Sequence, residues 1–432
     1  MRHRSWVVLS AAVFAWVCMV ALSPGLTVEE PIRKGLEVHE WGVFGVNDDR
    51  ELANADMRAE WAALPKFVFG QTAGRDLPIN QPQVYDVFKP VVFLHSAQPL
   101  ALEVRVDFPG GAPAVWWPRT VYPAQELDGC PGDGKKKDAF RYLEWHVQVK
   151  ELPKGQKSNA QPLAVDKGHW IETLRAVKAD DVFTKTNDGQ HGGFIKEGRG
   201  LPDSQYERER FIYYDGLVPI GKRVAVTVET DKVSVASGVK HPLFDVTVVD
   251  RRTPDHTRVA RLDKLKAGAK ATQLEFVEVD PKEWPEAALV ILTKQLTGAG
   301  LFEDEAKSLA EVWKKDFFQA DGLTLFFRLP QEEYEKLLPM KLKPRPEKLV
   351  RVGLVLHPHC EPDFAERVAN LAGELGSNDF EARERAQKRL EEMGRAAFVH
   401  LKRLRETIKS PEAQRRLEEL LAGFDALKAI DR

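Results

Sequence analysis

The stretch LEVRVDF, Leu102–Phe108, decides how most of this chain is read. Leu102, Val104, Val106 and Phe108 fall on one side of an extended chain, and Glu103, Arg105 and Asp107 on the other. Alternation with period two marks a half-buried strand. The pattern recurs on both sides of it. YLEWHVQV puts Leu143, Trp145, Val147 and Val149 on one face, and RVAVTVET, LFDVTVVD and TQLEFVEV repeat it. Turn clusters separate these runs: PGGAP, CPGDGKKK, NDGQHGG and EGRGLPD. One short amphipathic helix is expected from Asp56 to Leu64, ahead of Pro65. Many strands between long polar loops predict an antiparallel, sandwich-like body over residues 36–280.

Near Pro281 the character changes. Glu286–Leu296 reads as helix, and Ala306, Leu309, Val312, Trp313 and Phe317 follow helical spacing. Glu303, Asp304 and Glu305 crowd the start of that second helix, where carboxylates favour the positive end of the helix dipole. A strand (LTLFFRL), a short helix, the link KLKPRP and a strand (KLVRVGLVL) follow. Residues 281–356 are therefore expected to form an α/β block packed on the body. A linker is expected over 357–370, and then an all-α module over 371–432. In that module Phe380, Ala382, Ala386, Leu390 and Met393 form one stripe, Phe398, Leu401 and Leu404 another, and Leu417, Leu420, Leu421 and Phe424 a third. Ser410-Pro411 suits a helix start, since Ser can cap and Pro fits the first turn. Glu381 with Arg385 and Glu384 with Lys388 are spaced for ion pairs along one helix. The fold class is thus α+β: a β-rich body, an α/β block and a C-terminal helical module.

Composition narrows the function. Lys+Arg is 63 against Asp+Glu 65, so no global field gathers nucleic acid. The hydrophobic fraction of 43% is enough to bury a sizeable core. Arg2 and Arg4 precede an uncharged apolar run from Trp6 to Leu22, which reads as an export signal over residues 1–25. Export to the periplasm, cell surface or medium is expected, with membrane attachment only if the signal stays uncleaved. Cys130 and Cys360 could then pair in an oxidising compartment, or both could stay thiols.

Two resemblances carry further expectations. Leu375–Phe424, with its Phe380, Gly394 and Pro411 landmarks, resembles a HEAT-like helical repeat of about one and a half units. Such modules imply protein contacts. The stretches VHEWGVF, LPKFVF, VVFLHS, VRVDFPGG, WWPR, ERFIYYDGL and LTGAGLFEDEAKSLAEVW through LVRVGLVL resemble a family of uncharacterised exported bacterial proteins with a His-Glu-Trp-Gly signature. That family implies no activity and transfers no catalytic residue, and the cofactor is unknown from the sequence. HPHCEPD, after the last strand, departs from its pattern.

Candidate chemistry is scattered. In VHEWGVF a strand would send His39 and Trp41 to one face and Val38, Glu40 and Gly42 to the other. His39 then either hydrogen-bonds within the core or meets polar groups from elsewhere, such as His95 or Asp215. His357, His359 and Cys360 in HPHCE have metal-ligand chemistry but lack a visible partner pair, so a solvated linker is the competing reading. His191 lies in a Gly-rich turn that matches no nucleotide fingerprint. Trp116, Trp117 and Tyr122 either fill the core or stack a sugar. Glu207 and Glu209 share a strand face, but neighbours on one strand are too poorly oriented to suggest a glycosidase pair.

Three functional readings follow. The leading one is a non-catalytic exported binding or scaffold protein whose terminal helices dock a protein partner. The second is an extracytoplasmic hydrolase of polysaccharide or protein, with His39, His95, His191 and Asp215 in its site. The third is glycan binding on Trp116, Trp117 and Tyr122. Nucleic acid is excluded as a partner.

Overall fold

The computed structural model describes residues 30–46, 64–65, 67–70, 85–121, 141–154, 156, 161–185, 206–229, 232–253 and 255–430. The expected export signal, the Asp56–Leu64 helix save its last residue, Tyr122, Cys130 and His191 lie outside them. In chain order the strands are β1 (Ile32–Gly45), β2 (Phe69–Gly70), β3 (Tyr85–Ser96), β4 (Leu100–Asp107), β5 (Ala112–Trp117), β6 (Tyr142–Val149), β7 (Val182–Lys185), β8 (Tyr206–Glu209) and β9 (Ile212–Val218). They continue as β10 (Val224–Glu229), β11 (Lys232–Ser237), β12 (Leu243–Arg251), β13 (Thr257–Leu265), β14 (Thr272–Gln273), β15 (Val277–Val279), β16 (Gly322–Arg328), β17 (Met340–Lys343) and β18 (Arg345–His357). The helices are α1 (Trp170–Arg175), α2 (Trp284–Gly298), α3 (Glu303–Val312), α4 (Lys314–Phe318) and α5 (Gln331–Leu337), then α6 (Phe364–Glu374), α7 (Phe380–Met393), α8 (Arg395–Leu404) and α9 (Pro411–Ile430).

The fold is α+β. Ten strands form one sheet in the order β15-β13-β12-β16-β18-β1-β3-β9-β5-β2. A five-stranded sheet, β17-β4-β6-β7-β8, and a three-stranded one, β10-β11-β14, complete the body. Leu102, Val104 and Val106 of β4 are buried while Glu103 is exposed, as the alternation requires. They share one hydrophobic core with the large sheet, through contacts such as Trp145 and Phe108 against Tyr214.

The division expected at residue 281 is not a division of the sheet. β16 and β18, from the block expected to pack on the body, lie in its middle, with β18 beside β1. That pairing is parallel, Glu37–Gly45 against Lys348–Leu356, and every other ladder is antiparallel. A strand pair so distant in sequence needs no tight turn, so its pairing leaves no local mark. The central position also explains the signature's composition. From Val38 to Phe44 every residue of β1 is buried, because helices or loops cover both faces of the sheet.

The terminal helices begin earlier than expected. His357 is the buried last residue of β18, not a linker residue. α6 follows from Phe364, and Phe364, Val368 and Ala372 join Ala386, Leu390, Leu401 and Leu417 in a second core. Ser410 Oγ accepts the Ala413 N–H at 3.4 Å at the start of α9, as its sequence predicts. Glu381 pairs with Arg385 at 3.5 Å, but Glu384 is taken by Arg416 of α9 at 2.8 Å. Phe380, expected in the stripe, is exposed and carries Arg383 over its ring.

A charge cluster fastens these helices to the body. Arg389 of α7 pairs with Asp321, just before β16, and donates to the carbonyls of Arg251 and Arg252 at 3.0 and 3.3 Å. Arg367 of α6 reaches Asp321 at 3.0 Å and Glu361 at 3.2 Å. Charge-assisted bonds to partly buried groups contribute about 1.5–3 kcal/mol each. Arg389→Ala is expected to lose about 2 kcal/mol of stability and to raise protease cleavage within α6–α9. A urea melt with the midpoint of wild type, and unchanged cleavage, would show that the contact does not hold the helices.

Candidate functional site

β1 and β3 run antiparallel, with Glu37 opposite His95 and His39 opposite Phe93. Opposed residues share a face, and so do residues two apart on one strand. Glu37, His39, Phe93 and His95 therefore form one contiguous patch. α3 closes over it. Its N-terminal carboxylates do more than complement the helix dipole. Glu305 bends back to accept the N–H of Phe302 at 2.8 Å, one half of a capping box. This aims the carboxylate at the strand patch.

There it meets both imidazoles. His39 Nδ1 lies 2.7 Å from Glu305 Oε2, and His95 Nε2 lies 2.7 Å from Oε1. The His39 and Glu305 side chains are fully buried and His95 is part-buried, 17% exposed. Burial would push the Glu305 carboxyl up. The bonds from His39 and His95, with the N–H of Phe302, outweigh it and hold the group below the usual carboxylate range. The other His39 nitrogen, Nε2, is buried without a hydrogen bond among the described residues, and Glu37 Oε2 stands 3.6 Å from it. Phe302 packs its ring on both imidazoles, with centroids 4.5 and 4.8 Å away. His95 opens onto a groove of about 250 Å³ walled by Gly35, Glu37, Ser96, Asp180 and Phe302. Asp180 holds the groove's wall by accepting the Ser96 N–H at 2.6 Å.

Among the described residues, His39, His95 and Glu305 are the one His/Cys/Asp/Glu group whose ligand atoms lie together, within 4.8 Å of one another. Two imidazoles and a carboxylate suit a divalent transition ion. Ligands about 2.0–2.1 Å from a tetrahedral ion stand roughly 3.3 Å apart. To admit one, the 2.7 Å contacts would open slightly and the two imidazoles, now bonded to different oxygens of Glu305, would draw together, since the ligand atoms span up to 4.8 Å.

The opposite face of β1 carries a different cluster. Glu40 pairs with Arg351, its register neighbour on β18, and accepts the Tyr214 hydroxyl. The Arg351 guanidinium lies 4.4 Å from the centre of the Tyr334 ring. All four side chains are buried. Burial and the Glu40 charge together drive the Tyr214 and Tyr334 hydroxyls well above their usual range. Gly42 belongs to this face. A Cβ there would sit 2.8 Å from the Tyr334 hydroxyl. The signature thus divides: His39 serves one face, Glu40 and Gly42 the other, and Trp41 is fully buried in the core.

Other sequence candidates do not join the His39 group. Asp215 lies on β9 opposite Val115, and its carboxylate accepts the Gly216 N–H at 2.6 Å. Trp116 and Trp117 are buried, so they present no face to a sugar. That burial supports the core reading of the pair. His357, His359 and Cys360 are not gathered as metal ligands. The His359 ring packs against Phe364, and burial beside Arg367 lowers its pKa to about 4. Cys360 is buried and donates to the Leu323 carbonyl at 3.2 Å. Burial raises Glu361 to about 7 against the opposing pull of Arg367. Glu305 and Glu37 were missed. The only trace of Glu305 was its place in an acidic first turn, which has a local explanation of its own.

No family model matches this chain. No curated protein matches it either. Among solved structures, the yeast delta-COP-I mu-homology domain complexed with the Dsl1 WxWxV peptide aligns at a TM-score of 0.24 and 8% identity, over 76% of this chain and 98% of that one. The same domain without the peptide aligns at 0.24 and 9%, over the same shares. Similarity at that level does not establish a common fold. No helix among the described residues is long and apolar enough to cross a membrane.

Proposed function

We propose that this is an exported binding protein whose β body holds a divalent transition-metal ion on His39, His95 and Glu305. One observation carries the reading: ligand groups from β1, β3 and α3 converge with both imidazoles turned to one carboxylate. The charges also fit, since Glu305 supplies one negative charge and neutral imidazoles supply none. The ion would tie α3 to the sheet and so stabilise the native state.

The test uses the full chain, stripped of metal and titrated with Zn²⁺ and Co²⁺. One ion per chain is expected, with the intense visible bands of low-symmetry Co²⁺. At a free metal concentration of 100 times Kd the unfolding free energy should rise by about 2.7 kcal/mol. His95→Ala and Glu305→Gln should weaken uptake by at least about a hundredfold. Absence of stoichiometric uptake by wild type would end this reading.

A second reading, an extracytoplasmic hydrolase, draws on the groove beside His95. Three protein ligands with a fourth position open to solvent is the pattern of catalytic zinc, which activates a bound water. It predicts hydrolysis of a protein or polysaccharide substrate that disappears on chelation and in His95→Ala. Activity that survives both would remove it. Protein docking by α6–α9 stays part of the proposal, through the faces that the Arg389 and Arg367 contacts leave uncovered.

A further inference from the structure

His39 presents two nitrogens to two carboxylates. Nδ1 faces Glu305 at 2.7 Å, and Nε2, buried and without a hydrogen bond among the described residues, faces Glu37 at 3.6 Å. Glu37 sits two residues before His39 on the same strand face, and its register partner on β3 is His95. It is itself restrained. Lys348, its β18 neighbour, pairs with it at 3.2 Å and lies over the Phe302 ring. In the fold as it stands Nδ1 carries the proton shared with Glu305. An ion on Nδ1 would leave the proton on Nε2, where a modest rotation of Glu37 would pair a buried donor that is otherwise costly to leave unmade.

We propose that Glu37 is a positioning residue that holds the Nε2 proton of His39, so that Nδ1 is the nitrogen offered to the ion. The inference rests on the metal reading and adds to it a carboxylate–histidine–metal relay: Glu37, His39, ion. In such relays the outer carboxylate sets the tautomer, orients the ring and raises its basicity. The strand supplies the geometry, because residues two apart on one face lie side by side. Lys348, at 3.2 Å, restrains the Glu37 carboxylate beside the imidazole at the wall of the groove. Glu37 partly neutralises the added charge of a divalent ion without entering its coordination shell.

The experiment compares Zn²⁺ affinity, by chelator competition, among wild type, Glu37→Ala, Glu37→Gln and the control Glu103→Gln. Glu103 is a half-exposed carboxylate on the five-stranded sheet, with Lys343 at 3.6 Å. Glu37→Ala is expected to weaken zinc by about 10–100-fold. Glu37→Gln keeps an acceptor oxygen and should recover part of that loss, and Glu103→Gln should match wild type. Ring ¹⁵N signals of zinc-loaded wild type should show Nδ1 bound and Nε2 protonated. Glu37 lies at the edge of the sheet core and is partly exposed, so Glu37→Ala should keep the wild-type circular dichroism spectrum. Undiminished zinc affinity in Glu37→Ala, or zinc on Nε2, overturns the inference while leaving the metal site intact. No zinc uptake by wild type removes both.

Discussion

Arg351→Met is expected to destabilise the protein by about 3–5 kcal/mol, because it strands the Glu40 carboxylate in the middle of the ten-stranded sheet. Both side chains are fully buried, so water cannot replace the lost partner. Burial alone would lower the Arg351 pKa, but Glu40, with smaller help from the two tyrosines, raises it above its usual range. The guanidinium is therefore charged in the fold. The pair is not a source of net stability by itself, since desolvating two ions offsets most of their attraction. What it contributes is a penalty for every arrangement in which only one of the two is buried. That penalty favours the register in which Glu40 faces Arg351 across the parallel β1–β18 ladder. Glu40→Gln with Arg351→Met should recover most of the loss, because Gln still offers Tyr214 an acceptor and buries no charge. Urea unfolding of the two single variants and the double variant measures this. A single-variant loss below about 1 kcal/mol, a value typical of exposed pairs, would show that water reaches the cluster.

Trp117→Ala is expected to cost about 3–5 kcal/mol, the range for emptying a large aromatic site in a core. Its ring packs on Phe67 and Phe69, with centroids 4.7 and 5.8 Å away. Its Nε1–H donates to Glu209 at 3.2 Å. Glu209 is itself buried and gripped by Arg175 at 2.6 Å. The substitution removes apolar volume and also one donor from a buried carboxylate. Trp117→Phe should restore much of the packing and none of the hydrogen bond, giving an intermediate loss. Thermal melts of the three proteins decide between this and the sugar-stacking reading, in which Trp117→Ala melts like wild type and loses only glycan retention.

How much of this could be read from residues alone depends on the distance over which each cause acts. Alternation in β4, β6 and β10 is local. It comes from a two-residue repeat with one face dry, and it predicted these strands correctly. The acidic start of α3 and the Ser410-Pro411 opening of α9 were equally legible, since a helix end is satisfied within one turn. β1 was harder. With both faces covered it shows no simple polarity rhythm, and the sequence shows that His39 and Glu40 face opposite sides but not what either meets there. The burial of Trp116 and Trp117 had the same ambiguity, which only the covering layer resolves.

The sequence by itself determined the α+β class, the β-rich body with helices following it, and the opposed facing of His39 and Glu40. These follow from the repeat of side-chain direction along a chain. The tertiary structure alone decided that β16 and β18 enter the centre of the main sheet and that Glu305 meets His39 and His95. It also decided that Arg351 answers Glu40. Each of those contacts joins residues more than two hundred positions apart or strands from separate segments, where chain connectivity imposes no spacing. Burial of charge selects the partner there, and burial is a property of the assembled layers.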